Sequence, residues 1–475
     1  MRNDRYGLRL IAVLLVLLTL ISAFSACTAF TVRPADTGET EAGSDARTEA
    51  QTTGSAEKEP SPLVSLLLAN EAIPAFNQTV VENIHLYYSH YFIGDLSTDE
   101  ELAASIAEFY IEYRDLIDET DSGEVTDLLC ESYLAAAGDK YAYYMNPEAY
   151  AEYTSDMSGN YVGIGVQVTN DAVQRIITVT AVFPDTPAYE AGVLAGDTIE
   201  AVGDTSASTI SFAELVNRIR GEENTEVTVT FRRNGETYTR TMTRRKVVQV
   251  TASAKILPGS PKIGLIQITE FDETTAQQFK EALDGLLAEG IDGLIFDVRD
   301  NPGGLLSSIL TVLDYMVPDG TPLANYAYYD GTVVYDAANS SSYDKSTEDM
   351  KLSSDLPITV LCNAHTASAG ELFTCAMQDY AKEGILNAVI VGTVTYGKGT
   401  MQTLVRLGSG CATTISFALY NPPYSPNYEG TGITPDVPVE LSEEAQQKSI
   451  WALTDEEDVQ MTAAINLITE RMVSE

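Results

Sequence analysis

Short apolar runs that end in turns of small or polar residues characterise the second half of this chain. Segments 293–304, 358–363 and 388–392 each contain such a run, and each predicts a buried strand. Apolar positions at helical spacing follow the first run, from Leu305 to Leu313. Strands that alternate with helices in this way predict an α/β domain.

The middle of the chain has a different pattern. Segments 161–166, 176–182 and 227–231 predict strands. Between the last two, the i, i+3, i+4 and i+7 positions of one helical face are apolar: Phe212, Leu215, Val216 and Ile219. This region is therefore predicted to be a separate module in which one helix packs against strands.

The region before this module is predicted to be helical. Its apolar and aromatic residues recur at helical spacing and are expected core positions. They include Ile84, Tyr87, Tyr88, Tyr91, Leu102, Ile106 and Tyr110.

The first residues predict export. Arg2, Arg5 and Arg9 precede an apolar run that ends at Phe24, and a lipobox-like site at Cys27 follows, so residues 1–27 are interpreted as a lipoprotein-type signal peptide with Cys27 as the lipidated residue. An uncleaved signal anchor is the alternative, since the run is nearly long enough to span a bilayer. Residues 28–62 are poor in large apolar side chains, which predicts a flexible tether.

Composition excludes several functions. The formal net charge of −41 argues against contact of the folded part with nucleic acid or an anionic membrane. The 3 histidines and 5 cysteines are scattered without the spacing of metal ligands, so no metal and no cofactor is predicted.

Ser368 is the first candidate for chemistry. It follows the apolar run 358–363 and opens a small-residue segment that leads into a predicted helix. A serine on such a turn projects its hydroxyl, and the helix N-terminus behind it offers unpaired amides to an oxyanion. A serine at a helix start is more often only an N-cap.

Lys398 is the second candidate. Gly397 and Gly399 flank it directly after the predicted strand 388–392. A lysine acts as a general base near neutral pH when desolvation favours its neutral form, and serine–lysine pairs are a known variant of serine catalysis. A single lysine is more often a solvated surface charge.

A third block contains Gly303 and Gly304 after the strand in 293–304. Paired glycines let the backbone approach a substrate and point amides at it, as in half of an oxyanion hole.

These three blocks together resemble the C-terminal processing peptidases, the tail-specific serine proteases that carry a PDZ domain. The similarity rests on segments 296–304, 366–371 and 396–402 and extends from near Ile73 to the C-terminus. It implies an α/β multidomain protein with an N-terminal helical region, a PDZ domain and an α/β crotonase-like catalytic core.

The resemblance also implies roles for individual residues. Ser368 becomes the nucleophile, Lys398 the general base and Gln402 the group that orients the lysine. The resemblance implies an oxyanion hole formed by the amides of Ala369 and of Gly303 or Gly304. It implies supporting positions at Asp297, Arg299 and Glu371. A structural ion-pair network is the alternative interpretation of Asp297, Arg299 and Glu371.

In the middle module, segment 187–199 resembles the PDZ signature. A PDZ groove captures an extended C-terminus by strand addition and holds its carboxylate in a backbone nest. The residues implied for peptide binding are Gly163, Ile164, Gly165, Val166 and Leu215.

Two departures keep alternatives open. The Ser368-to-Lys398 segment is longer than the family commonly has, and the extra length is assigned to a surface loop at 380–385. His365 lies three residues before Ser368, where it would have to fold back over the turn to act as a triad base, so it is predicted to line the cleft instead. A bridge between Cys362 and Cys375 and buried free thiols are both open.

The predicted domain organisation follows these patterns. It consists of a signal peptide (1–27), a tether (28–62), a helical region (63–158), a PDZ domain (159–247), a Ser/Lys catalytic domain (248–442) and a C-terminal helical segment (443–475). The predicted function is an extracytoplasmic, lipid-anchored serine endopeptidase that acts on proteins or peptides with free C-termini, with a homo-oligomer or an activating partner as further expectations. The alternative is a catalytically silent PDZ adaptor.

Overall fold

A computed structural model describes residues 60–157, 160–171, 176–210, 212–339, 352–446, 448, 450 and 453–473. The predicted signal peptide, Cys27 and the tether up to residue 59 lie outside these residues. Within the described part, no helix has both the length and the apolar character needed to cross a membrane.

The N-terminal region is helical. Its helices are α1 (Pro62–Leu68), α2 (Gln78–Tyr91), α3 (Asp99–Tyr113) and α4 (Ser122–Ala137). Thr98 and Glu101 form a capping box at the start of α3, which explains why the helix begins there. Of the predicted core positions, Tyr87 and Tyr91 are only partly buried at the edge of the helical core, while the other five are buried.

This helical core is shared with the catalytic domain. Val405, Leu407, Cys411 and Ile415 belong to the same cluster of buried residues as the four helices. The helical region therefore packs directly on two strands of the domain that carries Lys398.

A short segment leads to the PDZ domain through β1 (Tyr144–Met145) and α5 (Pro147–Met157). The PDZ elements are β2 (Asn160–Gly163), β3 (Val166–Asp171), β4 (Ile176–Val182), α6 (Pro187–Glu190), β5 (Thr198–Val202), β6 (Thr205–Ser206), α7 (Phe212–Ile219), β7 (Glu226–Arg233), β8 (Glu236–Thr243) and β9 (Arg245–Val248). The main sheet has the antiparallel order β3-β4-β5-β7-β8, with β6 beside β5, while β2 pairs with β9. Strand β3 is therefore an edge strand, and α7 packs nearby through Leu215 and Ile219.

The catalytic domain is built on a six-stranded sheet. Its elements before Ser368 are β10 (Ala252–Ile256), β11 (Ile263–Ile268), α8 (Thr275–Ala288), β12 (Gly293–Asp297), α9 (Leu306–Asp314), β13 (Pro322–Tyr328), β14 (Val333–Ala337) and β15 (Pro357–Cys362). After it come α10 (Ala369–Lys382), β16 (Asn387–Gly392), β17 (Thr400–Gly408), β18 (Cys411–Asn421), β19 (Val437–Pro438), α11 (Glu443–Gln446) and α12 (Val459–Val473). The sheet order is β10-β11-β12-β15-β16-β19, and all pairs except β10–β11 are parallel.

Both faces of this sheet are covered. Phe296 and Val360 face the cluster that contains α8, α9 and α10, whereas Ile295 and Leu361 face α12. Because successive strand residues point to opposite faces, a strand covered on both sides reads as a continuous apolar run. This explains why β12 and β15 lack polar alternation in the sequence.

A second sheet is antiparallel and has the order β1-β18-β13-β14, with β17 paired to β18. Residues 397–399, here called the base loop, lead directly into β17. The predicted surface loop at 380–385 begins later than expected, because α10 continues to Lys382 and Tyr380 is fully buried.

The prediction of an α/β multidomain fold is thus confirmed.

Candidate active site

The backbone of the turn that carries Ser368 adopts a left-handed conformation at the serine. Ser368 directly precedes α10 and has a φ of 53°, in the left-handed region that few residues other than glycine adopt. Such a conformation persists only where the surroundings impose it. Here Thr366 donates its hydroxyl to the Val298 carbonyl at 2.8 Å, and the Ala367 amide donates to the Asn301 carbonyl at 2.8 Å.

Gly303 is packed against this turn. A Cβ atom at Gly303 would lie 2.7 Å from the Ser368 Cβ and 2.9 Å from the Ala369 nitrogen, so only glycine fits. Its amide donates to the Asn301 side-chain oxygen at 2.8 Å. Of the two glycines predicted as oxyanion donors, Gly303 already has its N–H bonded to Asn301, which leaves Gly304 as the candidate.

Two other amides remain at the same place. Neither the Gly304 nor the Ala369 N–H donates to a protein acceptor among the described residues. Gly304 has a φ of 138°, and a Cβ there would clash with the Phe271 carbonyl. The Ser368 turn and the glycine turn thus meet with these two amides available.

Lys398 is buried. Only 3% of the surface of this residue is exposed to solvent. Its Nζ donates a hydrogen bond to the Gln402 Oε1 at 2.9 Å. The Nζ lies 5.1 Å from the ring centroid of Tyr141. The Tyr420 hydroxyl donates to the Lys398 carbonyl at 2.8 Å, and the Tyr428 hydroxyl donates to the Ser368 carbonyl at 3.4 Å. One tyrosine thus contacts the backbone of each candidate catalytic residue.

The Glu371 carboxylate joins the same two segments more directly. It is fully buried and accepts the Ser368 amide at 3.0 Å, the Lys398 amide at 2.7 Å, the Gly397 amide at 2.6 Å and the Thr395 hydroxyl at 2.6 Å. Burial raises the pKa of Glu371, and the four hydrogen bonds oppose this rise only in part. One side chain thus fixes the backbone of both candidate catalytic residues.

Arg299 and Asp297 form a buried ion-pair network. Arg299 donates to both Asp297 oxygens, at 3.0 and 2.8 Å, and to both Asp458 oxygens, at 2.8 and 2.9 Å. It also reaches the Gln460 side chain at 3.2 Å. The network connects the end of β12, just before the glycine turn, to the start of α12.

His365 forms an exposed ion pair with Asp300. Its Nδ1 lies 3.0 Å from an Asp300 oxygen, and 80% of its side chain is exposed. The hydrogen bond to Asp300 raises the pKa of His365. No cluster of metal-binding side chains occurs in the part of the chain that the structure describes.

The four described cysteines are buried free thiols. Burial raises the pKa of Cys362 to about 12 and that of Cys375 to about 12. These thiols therefore stay protonated near neutral pH and are poor nucleophiles.

A groove of about 240 Å³ lies between β3 and α7 of the PDZ domain. Its lining includes Gly163, Ile164, Gly165, Val166, Phe212 and Val216. Leu215, which was expected to line it, is fully buried in the domain core. One residue along a helix turns the side chain by about 100°, so Val216 takes the wall position instead.

The loop before β3 is shaped for close backbone approach. Gly165 has a φ of 83°, and a Cβ there would clash with the Thr186 side chain. The Ile164 and Gly165 amides have no protein acceptor among the described residues. The two amides lie beside the open edge of β3.

Sequence reasoning missed several residues that hold the site. Three of them contact the base loop from distant parts of the chain: Tyr141, Tyr420 and Glu429. The fourth, Asp458, contacts Arg299. The sequence pattern around these residues gave little sign of them: Tyr141 lies between α4 and β1, and Glu429 lies between β18 and β19.

Two regions of the chain match models of known protein families. Residues 262–439 match the model of peptidase family S41, and residues 178–233 match that of the PDZ domain. A carboxyl-terminal-processing protease of Synechocystis sp. is 29% identical over 350 residues, which cover 73% of this chain and 77% of that protein. A carboxy-terminal-processing protease of Bartonella bacilliformis is 31% identical over 307 residues, 64% of this chain and 67% of that protein.

A probable CtpA-like serine protease of Staphylococcus aureus is 28% identical over 378 residues, 79% of this chain and 72% of that protein. Among solved structures, the photosystem II D1 C-terminal processing protease is 25% identical with a TM-score of 0.44, and the match covers 76% of this chain and 92% of that chain. The resemblance predicted from the three sequence blocks is confirmed, and the chain belongs to the PDZ-containing C-terminal processing serine proteases of peptidase family S41.

Proposed function

We propose that this protein is an exported, lipid-anchored endopeptidase that cleaves near the C-termini of extracytoplasmic proteins through an acyl-enzyme on Ser368. The observation that carries the proposal is the Glu371 carboxylate, which holds the amides of both Ser368 and Lys398. A nucleophile and a base fixed by one buried group are preorganised relative to each other.

The first half-reaction follows from this arrangement. A neutral Lys398 amine takes the proton from the Ser368 hydroxyl as its oxygen attacks the scissile carbonyl carbon. The negative charge that develops on the carbonyl oxygen is stabilised by the Gly304 and Ala369 amides, each worth about 3–4 kcal/mol by analogy with removed oxyanion donors. Collapse of the intermediate breaks the C–N bond, and the Lys398 ammonium protonates the leaving amine.

The second half-reaction releases the acyl group. Lys398 takes a proton from water, the resulting hydroxide attacks the ester carbonyl, and the proton returns to the Ser368 oxygen as the ester bond breaks. Gln402 accepts an N–H of Lys398, which leaves the nitrogen lone pair directed elsewhere. Both steps require the neutral form of this amine, and the residue that carries it is 3% exposed.

Substrate choice is assigned to the PDZ groove. An extended tail adds to the edge of β3, its carboxylate is bound by the Ile164 and Gly165 amides, and its last side chain packs against Val216. A tail held in this way delivers the scissile bond at a high effective concentration.

The proposed location rests on the sequence alone. A lipoprotein-type signal peptide cleaved before Cys27 and a tether of small and polar residues favour anchoring at the extracytoplasmic face of the membrane. Incorporation of a radiolabelled fatty acid by the wild type but not by Cys27→Ser would support the anchor. Equal labelling of both would contradict it.

The test of the activity is peptide cleavage by the purified ectodomain, with free and amidated C-termini compared. We expect wild type to cleave free tails preferentially. Ser368→Ala should abolish acyl-enzyme formation, with a loss of about 10⁶-fold in kcat, and Lys398→Ala should lose at least about 10²–10⁴-fold in kcat/KM, while tail affinity stays within twofold in both. Tail binding without any wild-type cleavage would instead favour the catalytically silent adaptor.

A further inference from the structure

Glu429 makes a second carboxylate contact with the base loop, on its C-terminal side. One oxygen accepts the Gly399 amide at 2.8 Å and the Thr400 hydroxyl at 2.9 Å. The other accepts the Tyr141 hydroxyl at 2.6 Å and pairs with the Lys140 ammonium at 2.6 Å. Glu429 thus bonds the base loop with one oxygen and the segment before the PDZ domain with the other.

With Glu429, the backbone of the base loop is held from several sides. Glu371 accepts the amides of its first two residues, and Tyr420 donates to the Lys398 carbonyl at 2.8 Å. Asn427 donates to the Gly399 carbonyl at 2.9 Å. Each of these contacts holds a main-chain atom of the base loop, so together they fix the backbone from which the Lys398 side chain extends.

Tyr141 contacts the base itself as well as Glu429. The face of its ring lies near the Lys398 Nζ, and its hydroxyl also donates to the Gly397 carbonyl at 3.3 Å. Tyr141 is buried, with 4% of its surface exposed. Removing its hydroxyl would therefore remove the contacts to Glu429 and to the Gly397 carbonyl, while the ring beside the lysine is kept.

The charges around Glu429 suit a permanent anchor. Burial alone would raise the pKa of Glu429, but hydrogen bonds from Lys140, Tyr141, Thr400 and Gly399 outweigh it and lower the pKa. The carboxylate therefore stays ionised over the range in which a lysine base works.

From this geometry we propose that Glu429, held by Tyr141, is a positioning residue for the Lys398 base, so that the segment before the PDZ domain forms part of the active site. The inference deepens, and rests on, the proposed Ser/Lys mechanism. It assigns no proton transfer to either residue. Their contribution is to keep the base loop in the one arrangement that aims the amine at Ser368.

The experiment compares Glu429→Ala, Glu429→Gln and Tyr141→Phe with wild type. The matched control is Glu440→Ala, which removes an exposed glutamate from the same C-terminal part of the domain. Four quantities are measured: kcat and KM for a free-tail peptide, the rate of Ser368 labelling by a fluorophosphonate, tail affinity and melting temperature. The fluorophosphonate is a small probe that bypasses the PDZ groove.

We expect Glu429→Ala to lower kcat and the labelling rate together, by about tenfold to a hundredfold, because a small displacement of a catalytic group is that costly. KM and tail affinity should stay within twofold. Glu429→Gln keeps one carbonyl oxygen for the Gly399 amide and should recover part of the loss. Tyr141→Phe should lower kcat about threefold to tenfold, and Glu440→Ala should match wild type.

Two results would overturn the inference while leaving the protease intact. The first is wild-type kcat and labelling in Glu429→Ala. The second is an equal loss in the Ala and Gln variants together with lowered tail affinity and melting temperature, which would indicate a general structural role. If wild type itself neither cleaves nor labels at Ser368, the proposed function fails, and the positioning role fails with it.

Discussion

The amides of the two candidate catalytic residues and the amides of the PDZ carboxylate loop differ in whether the protein itself bonds them. Around Ser368 and Lys398, the Glu371 carboxylate accepts three amides and a hydroxyl at once. At the groove, the Ile164 and Gly165 amides and the outer edge of β3 lack protein partners among the described residues. Chemistry needs groups that are already in place, whereas recognition by strand addition needs groups that the ligand will satisfy.

The largest effect is expected from replacing Glu371, the carboxylate that holds both candidate catalytic segments. Glu371→Gln replaces an acceptor oxygen with an NH₂ group that faces N–H donors, so at least one buried amide loses its partner. We expect kcat to fall about a hundredfold and the free energy of unfolding to fall by about 1–3 kcal/mol, measured by peptide cleavage and urea denaturation.

Glu383→Gln is the matched control for this change, because Glu383 follows the C-terminal end of the same helix and is exposed. It should leave both quantities at wild-type values. Full activity in Glu371→Gln would show that the serine and lysine segments hold their geometry without the carboxylate.

An intermediate effect is expected from a substitution in the loop before β3 of the PDZ domain. Gly165→Ala puts a Cβ against Thr186 at a φ of 83°, which displaces the two amides of the carboxylate loop. We expect KM for free-tail peptides to rise about tenfold, kcat to stay within twofold, and the preference over amidated tails to shrink.

Gly196→Ala is the control that distinguishes the general strain of a positive φ from a displacement of the carboxylate loop. Gly196 lies in the same domain with a φ of 90°, and a Cβ there meets nothing within 4 Å. It should therefore lose some stability and keep its KM. A rise in KM of the same size in both variants would mean that the carboxylate loop is not the tail-binding element.

The smallest effect concerns the His365–Asp300 pair beside the nucleophile turn. The hydrogen bond to Asp300 raises the pKa of His365 above 6.5, so its stabilising contribution is complete below pH 6.5 and disappears as pH rises through the raised value. Burial opposes ionisation of Asp300, but its bonds to His365 and Asn363 outweigh this and lower its pKa below 3.8. The contribution is therefore lost again as pH falls through that value.

His365→Gln should accordingly be less stable than wild type at pH 6 and equal to it at pH 9. Since 80% of the histidine side chain is exposed, the difference should be only a few tenths of a kcal/mol, roughly what exposed ion pairs contribute. Melting curves across this pH range measure it. A difference that persists at pH 9 would show that the imidazole acts by packing.

Local sequence patterns predicted the strands and the turns, because these depend mainly on neighbouring residues. The apolar runs predicted β12, β15 and β16, and the small-residue segments predicted the turns at Ser368 and Lys398. Leu215 and Val216 share one apolar face, and periodicity alone does not say which of two adjacent positions faces a groove and which faces the core. Gly303 and Gly304 both have positive φ, and only the Asn301 contact distinguishes them.

Long-range contacts could not be predicted in the same way. Glu429 meets Tyr141 across most of the chain, and Arg299 meets Asp458 from the far end of the catalytic domain. Such pairs depend on how sheets and helices stack, and a single charged residue in a polar segment carries no sign of its partner. The missed residues are therefore those that position the candidate catalytic groups.

The core that the N-terminal helices share with β17 and β18 has a consequence for how the protein comes apart. Without those helices, Leu407 and Ile415 would lose the apolar partners that now bury them completely, so the strand that carries Gln402 would melt with the helices as one cooperative unit. We expect any maturation cut that preserves activity to fall before Pro62, and a fragment that begins after the helices to be insoluble.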